Sequence, residues 1–194
     1  MRLVLASSSP RRAELLDRLG LEFHVAPADI DESGRPGEGP GAYVERLARD
    51  KALAVAAPGD LVVAADTAVV HEGHVLGKPG HPEEARTMLR RLQGGAHDVF
   101  TGIAVAHGGD MASLVDVTEV RMPAMTAEEI ADYVDTGEPM DKAGSYALQG
   151  RGGLYVESIV GSPFTVIGLP LHLLPRLAAK VGAHLGDFAR RSSL

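Results

Sequence analysis

Residues 2–6, RLVLA, form an apolar run of strand length. At Ser7-Ser8-Ser9-Pro10 the period changes, and Ala13, Leu15, Leu16 and Leu19 fall on one helical face. Ser9 reads as the N-cap, Pro10 as the first helical residue and Gly20 as the stop. The stretch HVAPADIDESGRPGEGPG (24–41) is rich in Gly and Pro and reads as loop. A second helix covers 42–57, with Val44, Leu47, Ala48 and Val55 as its buried stripe and Pro58-Gly59 ending it. LVVAADTAVV (61–70) is a long strand, turned by HEGH into VLGKP, and 82–93 is a third helix ended by Gly94-Gly95. Residues 98–107 and 113–122 flank a Gly108-Gly109-Asp110 turn as an antiparallel hairpin. Thr126-Ala127-Glu128-Glu129 is a capping box opening a short helix to Asp135. A glycine-rich loop, EPMDKAGSYALQGRGG, precedes a strand LYVESIV (154–160) and a mainly helical end, 167–185. Strands and helices mix without strict βαβ alternation, which predicts an α/β fold with a mixed, twisted sheet flanked by helices.

At 194 residues the chain has room for one such domain, pinched into two lobes, with residues 186–194 expected to fray. A net charge of −7 excludes general nucleic-acid binding, so any anion site must be local. No apolar run reaches membrane length and the opening strand is too short for a signal peptide, so a cytoplasmic protein is expected, with no membrane partner. The absence of cysteine removes disulfides, thiolate zinc and cysteine nucleophiles together.

Against that pattern a few residues stand out. Asp66 sits in the middle of an apolar strand and must be paired, protonated or metal-bound. Thr67 follows it and points to the other side unless the strand bulges. Lys51 lies on the buried stripe of the second helix, seven residues after Val44, where the ordinary reading is a packed stem with a snorkelling ammonium. Asp29, Asp31 and Glu32 are acids of a wet loop, but any of them beside Asp66 would complete an all-oxygen site for Mg²⁺ or Mn²⁺. His71 and His74 lack zincin spacing and read as turn histidines. There is no GxSxG elbow and no P-loop. Arg11 and Arg12 crowd the positive end of the first helix, where cations cost a few tenths of a kcal/mol unless an anion binds there. Lys78 and Lys142 lie in turns, and Gln149 in QGRGG could read a base edge.

The ordered set ASxSPRR, DE, KA, ADT, LGKP, DKAGSYALQG and VIGLPL resembles the Maf family of nucleotide pyrophosphatases, in its dTTP/UTP branch, from Leu3 to about Leu171. That resemblance implies two lobes around a deep nucleotide-binding cleft and hydrolysis of a nucleoside triphosphate to monophosphate and pyrophosphate. It implies that Asp66 accepts the proton, with Glu32, Lys51 and Lys78 as further catalytic charges. Ser7, Arg11, Arg12, Thr67 and Gln149 then bind or select the substrate, and Asp66 and Glu32 hold a divalent metal. A homodimer is implied as well. On this reading Arg12 serves phosphate charge, so its loss should leave the ligand-free chain no less stable. Two other readings are a different set of non-standard nucleotides, and a nucleotide-sensing regulator of septum formation without turnover. ALQG where many members read GIQG, and GSPF at 161–164, bear on fine substrate preference.

Overall fold

Alternation along the strands decides which side chains meet a helix. The structure is a computed structural model that describes residues 1–190. Its strands are β1 (Arg2–Leu5), β2 (His24–Val25), β3 (Asp60–His71), β4 (His74–Leu76), β5 (Ala96–His107), β6 (Asp110–Arg121) and β7 (Ser158–Val160). They form a mixed seven-stranded sheet of order β2-β1-β3-β5-β6-β7, with β4 on β3. β1 runs parallel to both β2 and β3, whereas β3–β4 and β6–β7 are antiparallel. The helices are α1 (Pro10–Arg18), α2 (Pro40–Val55), α3 (Pro82–Leu92), α4 (Ala127–Asp135), α5 (Pro163–Ile167) and α6 (Leu174–Lys180). The expected α/β class with a mixed, helix-flanked sheet is the observed one.

The chain divides into two compact units, the first made of 1–66, 101–116 and 168–194, the second of 67–100 and 117–167. In the first, Val4 and Ala6, Val62 and Ala64, and Ala104 and Ala106 cluster with Ala48 and Ala52 of α2. Each strand pair is spaced by two residues and so lies on one face. The contact is built almost entirely from alanine, which lets α2 come close. Gly102, two residues before Ala104 on that face, has no side chain because a Cβ there would lie 2.2 Å from the carbonyl oxygen of Val44. The register Arg2↔Asp60 is clamped by a bidentate ion pair at 2.9 and 2.7 Å, with Asp60 buried.

The second unit has a larger-residue core in which Ala85, Met88, Leu89 and Leu92 of α3 meet Ile130, Tyr133 and Val134 of α4. The capping box on Thr126 is formed in both directions. Glu72-Gly73 turns β3 into β4 with both residues at positive φ, as an HEGH hairpin requires.

Five details depart from the expected pattern. α2 begins at Pro40 rather than 42, since proline is pre-set for the first helical position. Leu19 is exposed because α1 ends at Arg18 and Leu19 is its C-cap. The strand expected over 154–160 shrinks to Ser158–Val160, because Arg151–Tyr155 winds into a 3₁₀ turn whose first amides bond to Glu138. The helix expected over 167–185 is interrupted at Gly168 and Pro170 and survives mainly as α6. Residues 186–190 do not fray: Phe188 is buried, its carbonyl accepts from Glu22 N–H at 2.7 Å, and Ala189 bridges Leu21. The rest of that expected tail, 191–194, lies outside the described residues.

The close approach at Gly102 gives a direct test. Gly102→Ala forces a methyl into helix backbone that cannot move aside as a side chain would, and should cost at least ~2 kcal/mol in chemical denaturation.

Candidate functional site

On β3 the face that meets α2 continues from Val62 and Ala64 to Asp66. On α2 the residue beside Ala52 and one turn from Ala48 is Lys51, buried like them. The two are therefore brought together by the same close packing that excludes larger side chains. Lys51 is 8% exposed, and its Nζ donates to Asp66 Oδ1 at 2.5 Å and pairs with Glu32 Oε1 at 2.7 Å. The snorkelling expected for Lys51 is thus overturned: its ammonium turns inward because two carboxylates wait there. Asp66 is itself 8% exposed, whereas the side chain of Glu32 is half in solvent.

Of the three loop acids only Glu32 reaches this centre, and α2 decides which one does. Tyr43 on α2 donates from its hydroxyl to the carbonyl of Glu32 at 3.0 Å. Arg46, one turn on, donates to the carbonyl of Ser33 at 3.1 Å and grips Glu38 through two bonds of 2.6 and 2.7 Å. The loop is thereby pinned at Glu32 and on its C-terminal side, at Ser33 and Glu38. Asp31 takes the N–H of Ser33 instead, and Asp29 is exposed. Tyr43 and Arg46 hold this loop without being marked by the sequence pattern, because their partners lie in the segment before α2 and not on the helix itself. The Arg46 guanidinium holds the Glu38 carboxyl down at about 2.

The turn into α1 is built differently from its expected form. Ser9 occupies the N-cap position but its side chain makes no capping bond. The hydroxyl of buried Ser7 accepts from Ser9 N–H at 3.1 Å and from Arg12 Nη1 at 3.1 Å, while Arg12 Nε donates to the carbonyl of Gly168 at 2.7 Å. Arg12 is consequently wired into the fold as well as charged. Burial lowers its pKa, Asp66 and Glu32 push it back up, and neighbouring Arg11 lowers it again. Arg11 is half-buried on the same first turn, which contains no acid. A helix N-terminus without side-chain caps, flanked by a serine hydroxyl and arginines, is suited to phosphate oxygens.

Ser7, Arg11, Arg12, Glu32, Lys51 and Asp66 all belong to the first unit. Thr67, Lys78 and Gln149 belong to the second. Thr67 continues β3 without interruption and is half-buried, and Lys78 is exposed just after β4. Gln149 is half-buried, and its Oε1 has no hydrogen-bond partner among the described residues. Also missed from sequence was His97, buried with its Nε2 2.8 Å from the hydroxyl of Tyr146. Burial, helped by His71, lowers the His97 pKa to about 4, so it is neutral at physiological pH.

No group of three or more histidine, aspartate or glutamate side chains suited to a metal occurs among the described residues. Two converging carboxylates remain, Asp66 and Glu32. No helix among the described residues is long and apolar enough to cross a membrane.

Comparison with known proteins finds relatives over nearly the whole chain. The family model described as Maf-like protein matches residues 2–181. A dTTP/UTP pyrophosphatase of Anaeromyxobacter sp. (strain Fw109-5) is 52% identical over 186 residues, covering 93% of this chain and 90% of that one. One from Myxococcus xanthus (strain DK1622) is 50% identical over 185 residues, covering 94% of each. One from Symbiobacterium thermophilum is 47% identical over 182 residues, covering 93% and 94%.

Two outcomes test the wiring. Arg12→Ala should lower the ligand-free stability by about 1–3 kcal/mol, because two charge-assisted bonds are lost. This revises the expectation that its removal is structurally neutral. Arg12→Lys should recover only part of it, since an ammonium cannot reproduce the fork. For the loop pin, Glu38 is held below its ordinary value of 4.5, at about 2, so its stabilisation is complete above 4.5 and fades as pH falls towards 2. Thermal midpoints of wild type and Glu38→Gln should differ at neutral pH and converge over that window.

Proposed function

Since the chain belongs to the Maf-like family, we propose that it hydrolyses dTTP and UTP at the α–β phosphoanhydride, yielding the nucleoside monophosphate and pyrophosphate. The names carried by relatives at 47–52% identity support the substrate. The observation that carries the chemistry is the Asp66–Lys51–Glu32 centre, a buried ammonium fixing two carboxylates. A cytoplasmic setting and a homodimer are part of this reading, both supported by the family likeness.

In the proposed reaction Asp66 orients a water towards the α-phosphorus and accepts its proton as the new P–O bond forms. The bond to the bridging oxygen then breaks, and pyrophosphate departs with that oxygen. Lys51 fixes the direction of the Asp66 carboxylate, so that no side-chain reorganisation is needed at the transition state. The first turn of α1, with Arg11 and Arg12, receives phosphate charge, and Lys78 adds to the charge taken up on the leaving group. Thr67 and Gln149 contact the nucleoside, with Gln149 able both to donate to and to accept from a pyrimidine edge.

A carboxylate is in general a weak base at neutral pH. The donor set fits a divalent cation: Asp66 and Glu32 supply hard oxygens, and Mg²⁺-type ions take one or two carboxylates together with water and substrate phosphates. Bound there, Mg²⁺ or Mn²⁺ would supply Lewis acidity and screen the phosphate oxygens.

The test is pyrophosphate release over a panel of standard, modified and damaged triphosphates, with and without Mg²⁺ or Mn²⁺. Asp66→Asn should reduce release from dTTP and UTP by at least ~10²-fold, as loss of a general base does, while the nucleotide still binds. Undiminished release by Asp66→Asn would reject the assignment. Tight binding without turnover of any triphosphate by wild type would instead support a sensor.

A further inference from the structure

The loop that carries Gln149 is shaped by one carboxylate, that of Glu138, which neither the site geometry nor the family likeness singles out. Glu138 begins the 3₁₀ turn Glu138–Asp141. Its Oε1 accepts from the Tyr133 hydroxyl at 2.8 Å and from Gly152 N–H at 2.9 Å, and its Oε2 accepts from Arg151 N–H at 3.0 Å. The Tyr133 oxygen in turn accepts from Ala147 N–H at 3.1 Å. Backbone amides on both sides of Gln149 therefore end, directly or through Tyr133, on the same carboxylate.

The backbone has been cleared for this. Gly150 stands at φ +111°, and a Cβ there would lie 2.6 Å from Glu138 Oε2. At Gly152 a Cβ would lie 2.4 Å from the Tyr133 hydroxyl and 2.5 Å from the carbonyl oxygen of Ala147. Lys142 Nζ donates to the carbonyl of Glu138 at 2.8 Å and holds the carboxylate's own segment in place. Burial raises the Glu138 pKa, but the amides of Gly152 and Arg151, the Tyr133 hydroxyl and the charge of Lys142 outweigh it and lower it overall. The group is thus an ionised, acceptor-only anchor for three donors. Between the anchored amides lies Gln149, whose buried Oε1 has no partner among the described residues and so awaits one.

We propose that Glu138 is a positioning residue for nucleotide selection: its carboxylate sets the conformation of residues 147–152 and thereby the direction in which the Gln149 amide meets the base. The inference rests on the reading of Gln149 as a base contact. Glutamine is not an equivalent anchor, because its amide nitrogen would confront one of the N–H donors. Glu138→Gln therefore turns the Gln149 amide without touching Asp66, Lys51 or Glu32.

The experiment compares wild type, Glu138→Gln, Gln149→Ala and the double variant. The readouts are kcat and KM for dTTP and GTP, Kd for dTMP and GMP, and the thermal midpoint. Glu138→Gln should narrow the dTTP over GTP preference in kcat/KM about tenfold, mostly through KM for dTTP, and should add nothing further to the ratio in the Gln149→Ala background. A ratio unchanged by Glu138→Gln, an equal fall in kcat on both nucleotides, or additive effects in the double variant would overturn it. Should Glu138→Gln not fold, Tyr133→Phe removes one donor and the Ala147 acceptor while keeping the ring, and the same cycle is read with it. Absence of turnover by wild type would defeat the proposed reaction alone, since the Kd values still report selection. Equal affinity of wild type for dTMP and GMP would defeat the Gln149 reading and this inference with it.

Discussion

A positive charge buried among alanines is the constraint from which the first unit is organised. Moving an ammonium out of water costs several kcal/mol even after relaxation, and only well-placed countercharge offsets it. Lys51 meets that condition through Asp66 from β3 and Glu32 from the loop before α2. Three separate segments must then converge on one nitrogen. The small side chains of the α2 face and the bare backbone at Gly102 serve this end, since a bulkier contact would lift Lys51 away from the strand. Close packing and charge pairing are here one requirement seen from two sides.

The arginines at the positive end of α1 look unfavourable when the helix is considered alone. Their surroundings change the balance. The Arg12 guanidinium points into a carbonyl, that of Gly168, and a hydroxyl, that of Ser7, and the field of Asp66 and Glu32 reaches it as well. The carboxylates that hold Lys51 therefore also help to keep Arg12 charged. An incoming triphosphate would add to a site already balanced, rather than correct one left in deficit.

How far these features can be read along the chain depends on the range of the interaction responsible. The α4 capping box, the Glu72-Gly73 hairpin turn and the unusual Asp66 are visible because each is decided within a few residues. The direction of Lys51 is not legible locally, because snorkelling and inward pairing share one helical pattern and a strand 15 residues away chooses between them. Asp29, Asp31 and Glu32 could not be ranked, because Tyr43 and Arg46 on α2 set the register of their loop. The same limit applies at 154–160, where alternation predicted a strand but Glu138 drew the first residues into a 3₁₀ turn.

Glu32, Asp66 and Glu138 show why residue type alone does not distinguish a carboxylate with oxygens to offer from an organising one. Asp66 and Glu32 share a side-chain cation, which leaves each with oxygen lone pairs to offer to a ligand. Glu138 is instead occupied by two amides and a phenol, and its charge is dispersed into the backbone. A carboxylate so engaged makes a poor base or metal ligand, yet it can fix a glycine-rich loop that would otherwise sample many conformations. Rigidity where a base is to be distinguished, and available oxygens where a phosphate is to be cleaved, call for opposite hydrogen-bonding environments. The chain supplies them with the same functional group, and the donors around each carboxylate determine which task it can perform.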